Sequence, residues 1–138
     1  VAKRVLIVED AQPIRRFLEV NLVRVGYDVT QAGDGIEGLK CIREETPDLI
    51  ILDITMPNMD GYEMLSWMQV EPECSSIPVI IFTAETERID MRKLRHSGPI
   101  KYAIKPISAG QLLDVVKRAE ECAEAWALDA PAIAASGQ

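Results

Sequence analysis

An α/β fold, a doubly wound parallel sheet of five strands alternating with five helices, is predicted by three observations. Two runs, Val5-Leu6-Ile7-Val8 and Leu49-Ile50-Ile51-Leu52, are apolar without alternation, as expected of strands covered on both faces. Segments with helical spacing of apolar residues lie between successive strands. Each strand also stops abruptly in polar or turn-forming residues, most clearly in ILDITMPNMDG at 51–61, where Asp53 ends the run and Pro57 and Gly61 turn the chain.

The first strand ends in Glu9-Asp10. Pro13 suits the first turn of a helix whose stripe is Ile14, Phe17, Leu18, Leu22 and Val25, closed by Gly26. Residues 27–31 (YDVTQ) read as a short strand and Asp34-Gly35 as a turn, before a helix over 36–45 with Ile36, Leu39 and Ile42 inward. Gly38 within it costs about 1 kcal/mol relative to alanine, and close packing on the sheet is a reason to keep it. After the Asp53 strand a helix over 61–70 turns Met64, Leu65 and Met68 to the core, and 71–76 is a loop. A fourth strand, 77–82, leads into Thr83-Ala84, and a helix over 86–97 stops at Gly98-Pro99. The fifth strand, 100–104, ends in Lys105-Pro106. The last helix runs from Ser108 to about residue 128, with Leu112, Val116, Ala119, Ala123 and Trp126 as its stripe, leaving 129–138 as a small, polar tail.

Composition narrows the function. The 138 residues fit one domain with a substantial core. No apolar stretch approaches the ~20 residues of a spanning helix, and no basic-then-apolar leader is visible, so a cytoplasmic protein without membrane insertion is expected. A net charge of −7 argues against direct nucleic-acid binding. Cys41, Cys74 and Cys122 are odd in number and without CxxC spacing, which suits free thiols rather than disulfides or zinc. The first residue is Val rather than Met, as trimming would leave it.

The strand ends carry the chemistry. In a parallel sheet the carboxyl ends share one edge, so Glu9, Asp10, Asp53, Thr83 and Lys105 can converge. Asp10 alone reads equally as a helix N-cap. Three carboxylates together repel, by several kcal/mol per pair at an effective dielectric of ~20, and a hard divalent cation such as Mg2+ relieves that repulsion. With a lysine alongside, such a pocket can accept a phosphoryl group on one carboxylate.

VLIVED, DITMPNMDG, FTA and YAIKP occur in this order over residues 3–124. Together they resemble the receiver domain of bacterial two-component response regulators, the chemotaxis-regulator-like, flavodoxin-like (βα)5 fold. The resemblance implies a receiver domain at 1–124, followed at 125–138 by the end of the last helix and a C-terminal tail. It implies Asp53 as phosphoacceptor, with Asp10, Asp53, the Thr55 backbone carbonyl and, through water, Glu9 around Mg2+. It implies Thr83 and Lys105 as phosphoryl-contacting groups, and Thr83 with Tyr102 as the switch pair. Thr55 and Glu85 would flank the path of the water that hydrolyses the phosphate. The chain would then be a phosphoacceptor switch that catalyses its own phosphorylation and dephosphorylation without being an enzyme in the turnover sense. A sensor histidine kinase or phosphotransfer protein would donate to it, and a protein target or effector domain would read the face of the fourth helix, fifth strand and fifth helix. As no effector domain follows residue 124, a stand-alone regulator and a piece of a longer one are both open.

Gly98-Pro99 and Gly38 depart from the family's frequent Gly-Ala and Ala, away from the site residues. Lys105-Pro106 is cis in the family. A pseudo-receiver that never takes phosphate is disfavoured by the full set of site residues. A phosphatase with an aspartyl nucleophile would want an aspartate where Thr55 stands, and a flavodoxin-like cofactor would bring its phosphate to Glu9-Asp10 rather than a glycine-rich loop. The bases Arg88, Arg92, Lys93 and Arg95 alternate with acids and read as a solvated face. His96 reads as a cation near a helix end, with no ligand role, and Trp67 as partly exposed.

Overall fold

The structure, a computed structural model, describes residues 2–84 and 89–136, with side chains as far as residue 127. The elements are β1 (Arg4–Val8), α1 (Gln12–Arg24), β2 (Asp28–Ala32), α2 (Gly35–Glu44), β3 (Leu49–Asp53), α3 (Gly61–Met68), a single turn α4 (Pro72–Ser75), β4 (Val79–Ala84), β5 (Ile100–Lys105) and α5 (Ala109–Ser136). The five strands form one parallel sheet in the order β2-β1-β3-β4-β5. This is the doubly wound (βα)5 arrangement expected, and its switch point lies between β1 and β3, where a crevice opens outside the strand ends.

Burial explains the unalternated strands. Alternate residues of β1, β3 and β4 face opposite layers: Val5, Ile7, Leu49, Ile51 and Ile80 pack with Leu18 and Leu22 of α1 and Leu112, Val116 and Ala119 of α5. Leu6, Val8, Ile50, Leu52 and Ile81 pack with Ile42 of α2 and Met64, Leu65 and Met68 of α3. Each such side chain contributes on the order of 1.5–3 kcal/mol by leaving water. Gly38 sits where these layers press close, since a Cβ there would lie 3.1 Å from Met64 and from Val8, so the helix propensity it forfeits is traded for contact.

Several expectations are corrected. In α1 only Leu18 and Leu22 are fully buried, Ile14 packs against them, and Phe17 and Val25 are exposed. Ile36 is also exposed, because Gly35, Gly38 and Ile42 form the inward face of α2. The stripe of α5 leaves the core after Ala119, and Trp126 is exposed. The helix does not end at 129–131: its backbone is helical to Ser136, in a segment rich in alanine, the best helix former. The loop expected at 71–76 contains the turn α4.

The largest correction concerns residues 86–97. Among the described residues 89–97 there is no helix. Instead Asp90 accepts from the Arg92 N–H at 3.0 Å and the Lys93 N–H closes onto the Asp90 carbonyl, a side-chain-stabilised turn that competes with helix. Ile89 and Leu94 reach the core, five residues apart, which is not the spacing of one helix face. Glu85, Glu87 and Arg88 lie outside the described residues, while Arg92, Lys93 and Arg95 are exposed as expected. No helix among the described residues is long and apolar enough to cross a membrane, and the three cysteines are free.

Candidate functional site

The strand ends converge as their sequence placement implied. Glu9 and Asp10 follow β1 and Asp53 ends β3; one oxygen from each of the three carboxylates lies within 4.8 Å of the others. Glu9 and Asp53 are buried, at 1% and 3% exposure, while Asp10 is exposed. Asp10 is not a helix cap: the N-cap of α1 is Ala11, which makes no side-chain cap bond. Its carboxylate therefore remains available to the cluster. Lys105, ending β5, places Nζ 2.5 Å from Glu9 Oε1 and 3.3 Å from Asp53 Oδ2, and 5.2 Å from the Phe82 ring centre.

The charges are strained by their burial. Desolvation and the contact to Asp53 together push Glu9 up to about 7, with Lys105 opposing. Desolvation also raises Asp53, against the lowering effect of the hydrogen bond with Glu9 and the Lys105 charge. For Lys105 desolvation acts downward, but the hydrogen bond to Glu9 and the Asp53 charge outweigh it and leave the ammonium favoured. Without a cation, the buried carboxylate pair thus holds a proton to near neutral pH. Glu9 Oε1 is fully buried against the Lys105 ammonium. An all-oxygen donor set of three converging carboxylates, two of them buried, fits a hard divalent cation such as Mg2+.

The loops that carry these groups are tied to each other. Arg15 of α1 donates from Nη1 to the Glu9 carbonyl at 2.6 Å and the Asp10 carbonyl at 3.2 Å, and from Nε to Gln31 Oε1 at 3.0 Å. Gln31 donates in turn to Glu19 at 2.6 Å. Asp34 caps α2 through the Glu37 N–H and accepts from Asn58 Nδ2 at 2.9 Å, joining the β2–α2 corner to the loop after Asp53. Asn58 holds a φ of 65°, which asparagine tolerates. Gly61 donates to the Ile54 carbonyl at 2.8 Å, and a Cβ there would meet the Asp53 carbonyl at 2.7 Å, so only glycine lets α3 begin so close to the acceptor. Neither Arg15 nor the Asp34–Asn58 tie was foreseen. Both act through long-range side-chain contacts that leave no periodic mark in the chain.

Thr83 lies one position past Phe82, the β4 residue that pairs with Asp53, and is 5% exposed. Its hydroxyl is 3.4 Å from the Ala84 carbonyl. The Thr55 N–H donates to Asp53 Oδ1 at 3.2 Å. Tyr102 stands apart from the carboxylates, paired in register with Ile81, 44% exposed, its hydroxyl toward Met91 Sδ at 3.9 Å. Glu85, expected beside the water path, is outside the described residues. The Lys105-Pro106 peptide is cis. His96 is not a helix-end cation: it sits in the 89–99 segment, its Nε2 is 2.5 Å from the Ile77 carbonyl, and burial lowers its pKa. Beside Lys105 an apolar groove of about 510 Å3 runs along Pro13, Ile14, Phe17, Phe82, Pro106 and Ile107.

The family model of the response regulator receiver domain matches residues 5–117. The transcriptional regulatory protein AfsQ1 of Streptomyces coelicolor is 39% identical over 114 residues, 83% of this chain and 49% of that protein. Chemotaxis protein CheY4 of Vibrio cholerae superposes with a TM-score of 0.79 at 28% identity, over 86% of this chain and 99% of its own. The signal receiver domain of a signal transduction histidine kinase from Syntrophus aciditrophicus does so with a TM-score of 0.73 at 33% identity, over 86% of this chain and 89% of that one. The chain spans about half the length of the curated relatives it matches.

Proposed function

The chain belongs to the response regulator receiver domain family, and from that premise we propose that it is a phosphorylation-controlled switch with Asp53 as acceptor. The observation that carries the assignment is the contact of one ammonium, Lys105, with both buried carboxylates, Glu9 and Asp53. Such a cation offsets the charge brought by an incoming phosphoryl group. Asp10, Asp53, the Thr55 carbonyl and, through water, Glu9 would hold Mg2+. Once bound, Mg2+ supplies charge neutralisation at the phosphoryl oxygens.

The chain's own groups do the rest. A donor phosphohistidine, from a sensor histidine kinase or phosphotransfer protein, loses its N–P bond as an Asp53 oxygen forms the new O–P bond. Lys105 pairs with one oxygen of the arriving group and the Thr83 hydroxyl turns to donate to another. Thr55 lines the path of the water that later hydrolyses the acyl phosphate. The groove beside Lys105, with Phe17 exposed at its rim, offers the donor an apolar seat next to the acceptor. The surface read by a downstream protein or effector domain is the one formed by 89–99, β5 and α5. We take residues 1–124 as the receiver unit and 125–138 as the end of the last helix with its terminus, and place the protein in the cytoplasm with its donor.

Acetyl phosphate with Mg2+ should add one phosphoryl group to the chain, seen by mass spectrometry. It should be lost in Asp53→Asn and on chelation. An adduct that survives Asp53→Asn would place the acceptor elsewhere.

A further inference from the structure

Arg15 lies against the Glu9–Asp10 turn and pairs with neither of its carboxylates. Among the described residues it enters no ion pair; its donors go to the backbone carbonyls of Glu9 and Asp10 and to Gln31. A guanidinium this close to an acidic cluster would ordinarily take a carboxylate in a bidentate pair, which would consume the lone pairs a cation needs. Its alternative use has a geometric consequence. Peptide planes are rigid, so drawing the carbonyls of residues 9 and 10 toward α1 and β2 fixes how the turn after β1 is rotated. That rotation leaves the side chains of Glu9 and Asp10 with Asp53, their oxygens within 4.8 Å of its own. Because Asp10 follows the last residue of β1 by two and is exposed, the sheet does not hold it. The clamp is itself braced, since Arg15 Nε is held by Gln31 of β2 and Gln31 by Glu19 of α1.

We propose that Arg15, braced by Gln31, is a positioning residue that holds the Glu9–Asp10 turn by its backbone carbonyls for the divalent cation, without itself occupying the carboxylates. The inference rests on the reading of this cluster as a Mg2+ site. Its sign is opposite to that of a simple charge effect. As a mere neighbouring cation, Arg15 would repel Mg2+, and removing it would tighten binding. As a clamp, its removal loosens the turn and weakens binding.

The test is Mg2+ titration by isothermal calorimetry on the full chain, in wild type, Arg15→Met, Gln31→Leu and Asp10→Asn, with thermal melts of each. Arg15→Met keeps the aliphatic stem and loses donors and charge; its Mg2+ affinity should fall about tenfold, the low end for loss of a group that orients metal ligands. Gln31→Leu keeps the positive charge and loses only the brace, and should weaken Mg2+ binding by a smaller factor in the same direction. Should Arg15→Met not fold, Gln31→Leu decides, because a charge effect leaves it at wild-type affinity. Tighter or unchanged binding in the variant that decides overturns the inference. A lower melting temperature with unaltered Mg2+ affinity marks a structural role and overturns it equally. If wild type binds no Mg2+, or Asp10→Asn binds as wild type does, the metal-site reading itself falls and the inference with it.

Discussion

The two sides of the sheet are built to different standards. On the β2-β1-β3 side each strand leads into a regular helix, and the connecting loops are cross-tied by Arg15, by Asn58 on Asp34, and by Gly35 on the Met59 carbonyl. On the β4–β5 side the described part of the connection, 89–99, has no helix; Ile89 and Leu94 reach the core, and side-chain bonds hold much of the rest. They include the Asp90 N–H on the Tyr62 hydroxyl at 2.6 Å, Ser97 on Gln69 at 2.7 Å and His96 on the Ile77 carbonyl. Tyr102 and Ile104 of β5 stay exposed. The difference separates tasks: chemistry needs groups fixed to within fractions of an ångström, whereas a signal needs an element that opens at small cost. Thr83 belongs to both sides, being buried at the strand ends yet carried by β4, the strand that leads toward that connection.

The sharpest way to break this comparison is to cut the link at Thr83. A hydrogen bond to a charged acceptor is worth roughly 1.5–3 kcal/mol, enough to move a two-state ratio about tenfold to a hundredfold. Thr83→Ala should therefore still accept phosphate at Asp53 but lose most of the change in partner affinity that phosphorylation brings. Titration of each form with and without beryllofluoride reads this directly. If Thr83→Ala retains the full affinity change, the two sides communicate by another route.

The second prediction concerns the fixed side alone. Glu9 is raised from 4.5 to about 7 by burial beside Asp53. The folded chain then holds a proton the unfolded chain has released, so Glu9 stabilises the cation-free protein at low pH, and this contribution is lost as pH rises from about 4.5 through about 7. Mg2+ must displace that proton, so its affinity should rise up to about tenfold per pH unit below 7 and level off above. Calorimetry in two buffers of different ionisation enthalpy should show proton release at pH ~6 that vanishes by pH ~8. A Mg2+ affinity independent of pH in this window would mean that Glu9 is already ionised in the folded chain.

The same contrast explains what could be read in the chain. β1 and β3 were legible because strands covered on both faces are written as unbroken apolar runs, and the carboxylates were legible because they stop those runs. Met64, Leu65 and Met68 were legible by helical spacing. The helix expected over 86–97 is absent from its described part, 89–97, because the charges there gave propensity without an apolar stripe, and Asp90 and Ser97 form side-chain bonds that compete with or replace helical ones. His96 was misread with it, since a histidine in a helix end and one buried on a carbonyl look alike in a string of letters. Arg15 and Gln31 were silent for a different cause: a polar side chain on a helix or an outer strand is ordinarily solvated, and only the fold shows that these meet.

The smallest effect is the most specific to the loose side. Tyr62 projects from α3 and its hydroxyl accepts the Asp90 N–H, while Lys93 Nζ lies 6.0 Å from its ring centre. Tyr62→Phe keeps the ring and its packing and removes one acceptor, at a cost of about 1 kcal/mol. If 89–99 opens as its own unit, that cost falls on local opening. Hydrogen exchange at residues 89–97 should quicken about fivefold, the equivalent of 1 kcal/mol, while exchange in β1 and β3 and the global denaturation midpoint change little. Opening of this segment also frees Tyr102 from Met91, so Tyr62→Phe should raise the affinity of the unphosphorylated chain for a partner that reads this face. Were the global midpoint to shift by the full amount with no local change, 89–99 would unfold only with the rest. The signal would then have to arise from movement within the packed sheet.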